Sequence, residues 1–306
     1  MSCVLFVVGP TASGKSDLAI KLAYKLSSPV ISADSMQIYK GMHIASAAPD
    51  ESEMQGVEHK LLEFLPYGTQ FSVSDYADMA RGEIKKSLTA GKTPIVVGGT
   101  GLYINVLTDN VQFLPVKTDL SVREKLNKEF ERSGAEEMLE RLRKIDHTAA
   151  EKLSINDRRR IIRALEIYET SGITKTEQNK HSKMSPPDFT PIIIGISFAD
   201  RQKLYDRINK RVDIMVQKGL VEEAKIAFER GNGGGAVQAI GHKEFFGYFK
   251  GEQSLEEAIE DLKRATRRYA KRQLTWFNKD SRINWILRDR TPDVFGEALK
   301  IIEREG

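Results

Sequence analysis

Eight consecutive residues constrain this chain more than any other feature: Gly9-Pro10-Thr11-Ala12-Ser13-Gly14-Lys15-Ser16. They fit G-x-x-x-x-G-K-[ST], and they stand between an apolar run, residues 3–8, and a helical pattern that begins at Lys15. A strand, glycine-rich loop and helix in that order turn backbone N–H groups and the positive end of the helix toward an anion. Lys15 is then placed to contact phosphate oxygens and Ser16 to reach Mg²⁺. A glycine-rich turn with no ligand is the alternative, and the elements on both sides of the loop argue against it.

The rest of the chain supplies a sheet for this loop. Further apolar runs at 29–33, 94–97 and 191–197 read as strands, with an edge strand at 283–287. Helical patterns lie between them at 15–26 and 73–88, the second opened by Ser72 or Ser74 as N-cap. The expected fold is α/β, a P-loop NTPase-like parallel sheet with an all-helical insertion domain. The insertion is placed at 114–188, where strand patterns vanish and charged sequence carries apolar residues at helical spacing up to the breaker Ser185-Pro186-Pro187. Residues 1–113 and 189–306 then form the core domain with C-terminal helices, and Gly231-Asn232-Gly233-Gly234-Gly235 reads as a loop.

Charge and cysteine content narrow the function classes. A net charge of +4 on 306 residues is mild, so any polyanion site must come from local clusters. One cysteine, Cys3, excludes an internal disulfide and a multi-cysteine zinc site, which fits a reducing cytoplasm. The apolar start is too short for a signal segment, and no stretch approaches the ~20 apolar residues of a membrane span. A cytoplasmic monomer with no membrane contact is expected.

Two segments share the crevice that a parallel sheet makes at its strand ends. Asp34-Ser35-Met36-Gln37 follows the second strand, and Gly98-Gly99-Thr100-Gly101 follows Ile95-Val96-Val97. The latter strand lacks the terminal carboxylate that usually holds Mg²⁺ for nucleotide hydrolysis, so the loop suits a departing diphosphate. Asp34 is either a catalytic group or an Asx-turn former. The glycines either admit a ligand or make a tight turn.

Two helices segregate charge. Lys263, Arg264, Arg267, Arg268, Lys271 and Arg272 occupy half of one helical wheel opposite an apolar face that includes Tyr269 and Trp276. Arg159, Arg160 and Arg163 share a face while Ile161, Leu165 and Tyr168 share another. Either face can be merely solvated, but two in a nearly neutral chain favour a phosphate backbone as partner. The spacing of Tyr269, Trp276 and Phe277 fits core packing better than base stacking.

Several of these segments together resemble the tRNA dimethylallyltransferase family, also called tRNA isopentenyltransferases. They are 9–16, Asp34-Ser35 with Ile38-Tyr39-Lys40-Gly41-Met42, 98–103, Arg159-Arg160-Ile161 with Arg163-Ala164-Leu165-Glu166, Gln238-Ala239-Ile240-Gly241 with Lys243-Glu244, and 268–277. The resemblance implies Mg²⁺, dimethylallyl diphosphate as donor, and as acceptor the exocyclic amine of the adenosine 3′ of the anticodon in a tRNA anticodon stem-loop. It implies that Lys15, Ser16 and Arg211 serve diphosphate and metal, Asp34 the acceptor amine, and Thr100 the substrate pocket. The expected tRNA contacts are Asp34, Ser35, Met36, Gln37, Thr100, Arg123, Asp157, Arg158, Arg159, Arg160, Ile161, Arg264 and Arg268. The sequence departs from the family pattern at His43-Ile44-Ala45-Ser46-Ala47-Ala48, at Glu58-His59-Lys60 and at His242.

Overall fold

A computed structural model describes residues 2–113, 120–182, 186–231 and 239–306. The chain divides into two compact units, Met1–Thr108 with Pro187–Gly306, and Asp109–Pro186. The expected start of the insertion at 114, Ser185 of the breaker, residues 232–235 of the glycine loop and Gln238 lie outside the described residues.

The first unit is built on six parallel strands: β1 Cys3–Val8, β2 Val30–Ser32, β3 His59–Lys60, β4 Ile95–Val97, β5 Thr190–Ser197 and β6 Asn284–Leu287. Their order is β3-β2-β4-β1-β5-β6. β1 explains why the sequence before the loop is apolar at every position. Val4, Phe6 and Val8 enter one core with Tyr76, Tyr103 and Ile193, while Leu5 and Val7 enter the other with Leu18, Leu22 and Ile301. A strand covered on both faces needs no polar alternation, and its burial fixes the origin of the phosphate-binding loop.

β3 has no signal in the sequence. It is two residues long at an edge, and it is held by backbone pairing of His59 and Lys60 with Val30 and Ile31. The helix Val73–Thr89 is capped by Ser72, whose side chain accepts from Asp75 N–H in a reciprocal box. That settles the choice between the two serines.

The helix Leu255–Phe277 buries Ala258, Leu262, Ala270, Gln273 and Phe277. Phe277 joins the sheet core as expected. Trp276 does not pack inside: it is 40% exposed. Tyr269 lines a cavity instead of the core. The buried arc is turned by about one position from the expected one, running through Ala270, Gln273 and Phe277.

The second unit is helical. Leu120–Ile145 is interrupted at Gly134, whose φ of 82° no helix accommodates, and Arg158–Ser171 packs against it. Leu126, Met138, Leu142, Ile161 and Leu165 form its core. Ile161, expected among the tRNA contacts, has its side chain 0% exposed among these residues, which leaves its backbone for such a contact. Tyr168, expected on the packing face, is exposed, and Ile167 is buried in its place.

Candidate active site

The loops at the strand ends owe their shape to glycine at three places, two of them in the loop after β1. Gly9 has φ +135° and lies so close to the Ile196 carbonyl that a Cβ would stand 2.2 Å from its oxygen. Gly14, at φ +97°, sits under the guanidinium of Arg288. Gly98 is pressed against the Ala33 carbonyl, 2.1 Å from where a Cβ would be. The strand ends of β2 and β4 therefore touch, and the Thr100 N–H donates to the same Ala33 oxygen at 3.2 Å.

These loops enclose a cavity of about 310 Å³ within the first unit. Thr11, Lys15, Ser16, Asp34, Ser35, Met36, Gln37 and Arg211 all line it. Lys15 Nζ donates to the Pro10 carbonyl at 2.7 Å. Burial pushes its pKa down to about 7, the like charge of Arg211 adds to the drop, and Asp34 opposes it. Arg211 Nη1 donates to Thr11 Oγ1 at 3.2 Å, and burial lowers its pKa too. Ser16 is exposed, whereas Ser13 Oγ is buried with no partner among the described residues.

Asp34 realises its plainer alternative without giving up the other. Its Oδ1 accepts the Met36 N–H at 2.9 Å, an Asx-turn, while Oδ2 has no hydrogen-bond partner among the described residues. Thr100 stands behind the cavity wall, accepting the Ser35 N–H at 2.9 Å and donating to Ser35 Oγ at 3.3 Å. Gln37 accepts from Ser32 Oγ at 3.0 Å and donates to the Ala47 carbonyl at 3.1 Å, which ties the wall at 46–47 to β2.

Three neighbours carry roles that sequence patterns did not assign. Gln273, 5% exposed, accepts the Thr11 N–H at 2.8 Å and donates to the Gly99 carbonyl at 3.0 Å, clasping two loops. A lone amide at a core position of an apolar stripe was the available signal. Arg207 donates to the Ala12 carbonyl at 3.0 Å, one helical turn before Arg211. Arg288 reaches Gly14 from the end of β6, where no pattern marks it. The loop is thus ringed by Lys15, Arg207, Arg211 and Arg288. The rest of the lining mixes apolar Ala45, Ile208, Val212, Met215 and Leu262 with Lys243, Thr266 and Arg272.

The basic helix is less uniformly available than its sequence suggests. Lys263 pairs with Asp213 at 2.9 Å and Glu260 at 3.0 Å, Arg264 pairs with Asp261, and Arg267 donates to Asn209 at 2.6 Å. Arg268 and Lys271 are exposed, and Arg272 lines the cavity with its guanidinium 5.6 Å from the Tyr269 ring centre.

In the helical unit, Arg123 is held on the 1%-exposed carboxylate of Glu166 through Nε at 3.1 Å and Nη2 at 3.0 Å. Arg163 reaches the same carboxylate at 3.0 Å. Arg158 bonds Glu131 at 3.0 Å over the Phe130 ring, and Asp157 accepts the Ser154 N–H at 3.0 Å. Arg159 and Arg160 are exposed.

Residues 37–280 match the profile described as IPP transferase. A tRNA dimethylallyltransferase of Acetivibrio thermocellus is 47% identical over 305 residues, covering 99% of this chain and 96% of that relative. The chain belongs to the IPP transferase family. Two solved structures of similar proteins extend the likeness to the fold. The full-length tRNA isopentenylpyrophosphate transferase of Bacillus halodurans is 38% identical with a TM-score of 0.73, covering 100% of this chain and 98% of that one. A eukaryotic dimethylallyltransferase acting on tRNA is 27% identical with a TM-score of 0.83, covering 100% of this chain and 81% of its own.

Two of the three departures from the IPP transferase pattern, residues 43–48 and His242, meet on one carboxylate. Glu223 accepts the N–H groups of Ile44 and Ala45 at 2.8 and 2.9 Å and lies 2.9 Å from Nε2 of the buried His242. His43 meets Glu63 at 3.1 Å. The altered segment therefore has its own anchors and remains part of the cavity wall.

Proposed function

We propose that this IPP transferase family member moves the dimethylallyl group of dimethylallyl diphosphate onto the exocyclic amine of the adenosine 3′ of the anticodon in tRNA. The observation that carries the reading is the cavity's mixed lining, in which Lys15, Arg211 and Asp34 share the wall with apolar Ile208, Val212, Met215 and Leu262. A prenyl diphosphate presents the same two kinds of surface.

An allylic carbon reacts once its leaving group is stabilised, so the chain works mainly on charge and alignment. Loop N–H groups, Lys15 and Arg211 receive the diphosphate, and Arg207 and Arg288 add positive potential. The amine nitrogen bonds to the allylic carbon, and the carbon–oxygen bond breaks with its electron pair leaving on the diphosphate. Asp34 orients the amine through the open Oδ2 and accepts its proton. Thr100, committed to Ser35, holds the turn that presents Asp34. The adenine leaves its stack to enter, at a cost of a few kcal/mol that backbone contacts offset.

The donor set suits Mg²⁺. Among the described residues no cluster of three His, Cys, Asp or Glu side chains can hold a metal alone, and Mg²⁺ typically keeps few protein ligands beside phosphate oxygens and water. Ser16 would hold it, and it would add charge stabilisation to the leaving diphosphate. The exposed Arg159, Arg160 and Arg268 serve as phosphate contacts to the anticodon stem-loop, with Arg123 and Arg158 setting the surface of the helical unit. The protein acts as a monomer in the cytoplasm.

Labelled dimethylallyl diphosphate offered with tRNA, AMP or ATP tests the assignment. Transfer to tRNA alone is expected. Label in AMP but never in tRNA would overturn the acceptor.

A further inference from the structure

The 40% exposure of Trp276 is unusual for the largest apolar side chain on an otherwise well-packed helix. Its ring is not loose. The indole N–H donates to Asn105 Oδ1 at 3.0 Å. The pyrrole edge lies on Gly101 so closely that a Cβ there would stand 2.2 Å from Cδ1 and 2.4 Å from Nε1. Gly101 and Asn105 belong to the helix Gly101–Thr108, which continues directly from the loop bordering the cavity. Orientation is fixed at the polar edge, and part of the ring is left to solvent.

The surroundings indicate what covers it. At about 100° per residue, Tyr269, Arg272 and Arg268 fall within roughly 80° of Trp276 on the same helix, and Lys279 follows just past the helix end, its N–H donating to the Trp276 carbonyl at 3.3 Å. Tyr269 and Arg272 line the cavity one to two turns before Trp276. A held aromatic surface bordered by arginine and lysine, on a helix whose preceding turns line the cavity, has the composition of a stacking platform for single-stranded nucleic acid.

We propose that Trp276 stacks an unpaired base next to the adenosine that enters the cavity, with Arg268 and Lys279 neutralising the adjoining backbone. The inference rests on the RNA-acceptor reading above. The base is recognised by its π-face, so the platform favours no sequence. It substitutes for the stacking partner the flanking base loses when its neighbour leaves.

The test uses an anticodon stem-loop RNA and the full chain. Trp276→Ala should raise the RNA KM roughly 5- to 100-fold, as expected for one stacked base, with the donor KM unchanged. Trp276→Phe, which keeps a π-face, should restore most of it. In a Trp285→Phe chain the single remaining indole should be quenched by the RNA. An unchanged RNA KM, or donor and RNA KM rising together, would overturn the platform, the latter making Trp276 a support for the glycine loop. Concentration-dependent dimerisation abolished by Trp276→Ala would assign the ring to a second copy and also overturn it. Quenching without any prenylation of RNA by the wild-type chain would instead retain the platform and reject the reaction.

Discussion

Replacing Gln273 with leucine probes the clasp on which the site's geometry depends. The amide accepts the Thr11 N–H at 2.8 Å and donates to the Gly99 carbonyl at 3.0 Å. Gly99 is buried and Thr11 half-buried. An orphaned buried carbonyl costs about 1–3 kcal/mol and a half-exposed N–H about 1 or less, so roughly 2–3 kcal/mol of stability should be lost. Leucine keeps most of the volume, which limits any cavity contribution. The larger effect is on rate. With the clasp gone, the phosphate-binding loop and the loop beside Asp34 are no longer tied, and a misplacement of about 1 Å costs on the order of 10²-fold. Calorimetric unfolding and single-turnover transfer, run on the same preparation, separate the two effects. Gln273→Glu adds a check, since it preserves the acceptor for Thr11 but removes the donor to Gly99 and adds a negative charge beside a diphosphate. A leucine variant with wild-type rate and unfolding temperature would show that the loops hold their positions independently, and the clasp would be incidental.

Lys15, with its pKa pushed down to about 7, is partly neutral above that pH. A bound diphosphate raises the pKa again, so binding takes up a proton and affinity falls as pH rises through about 7. Titration calorimetry with pyrophosphate in buffers of different ionisation enthalpy should show greater proton uptake at alkaline pH for wild type than for Lys15→Arg; equal uptake would refute it. Arg264→Ala with Arg268→Ala should weaken tRNA binding and make the log-log salt slope shallower by about one to two units, nearer one because Arg264 is already paired with Asp261. An unchanged slope would leave the face merely solvated. Arg123→Ala should destabilise the helical unit by about 1–2 kcal/mol, since the buried Glu166 retains only Arg163. Unaltered unfolding would mean that the pair contributes nothing to the fold.

The legible parts of this protein were those where local sequence and tertiary position agree. β1, the phosphate-binding loop and the helix Lys15–Leu26 stand where the apolar run, the glycines and the lysine placed them. β6 was legible as an edge strand, and β3 was not, because a two-residue strand at an edge draws its stability from β2's backbone and needs no apolar pattern. The basic helix was legible as a charged face but not in its detail. Which of its cations meet Asp213, Asp261 or Asn209 depends on a neighbouring helix and on rotamers, neither of which has a period in the sequence. Trp276 was misassigned to the core for a related reason: helical spacing gives the angle of a side chain, not where the packed surface ends. Ile161 shows the converse, a residue inside a basic segment whose side chain packs in the core of the helical unit. Gln273 and Arg288 act across 174 and 274 residues of sequence from their loops by subtraction of positions, beyond the reach of any local pattern.

Asp34→Asn tests the central claim most directly. Asparagine keeps the size of the side chain, and its oxygen can still accept the Met36 N–H that Oδ1 now accepts at 2.9 Å. It cannot take the amine proton. With labelled dimethylallyl diphosphate and tRNA both saturating, the single-turnover rate should fall roughly 10²- to 10⁴-fold, while pyrophosphate and tRNA bind as in wild type. A rate within a few-fold of wild type would leave Asp34 as a turn-former and the phosphate cradle with no group to receive the acceptor's proton.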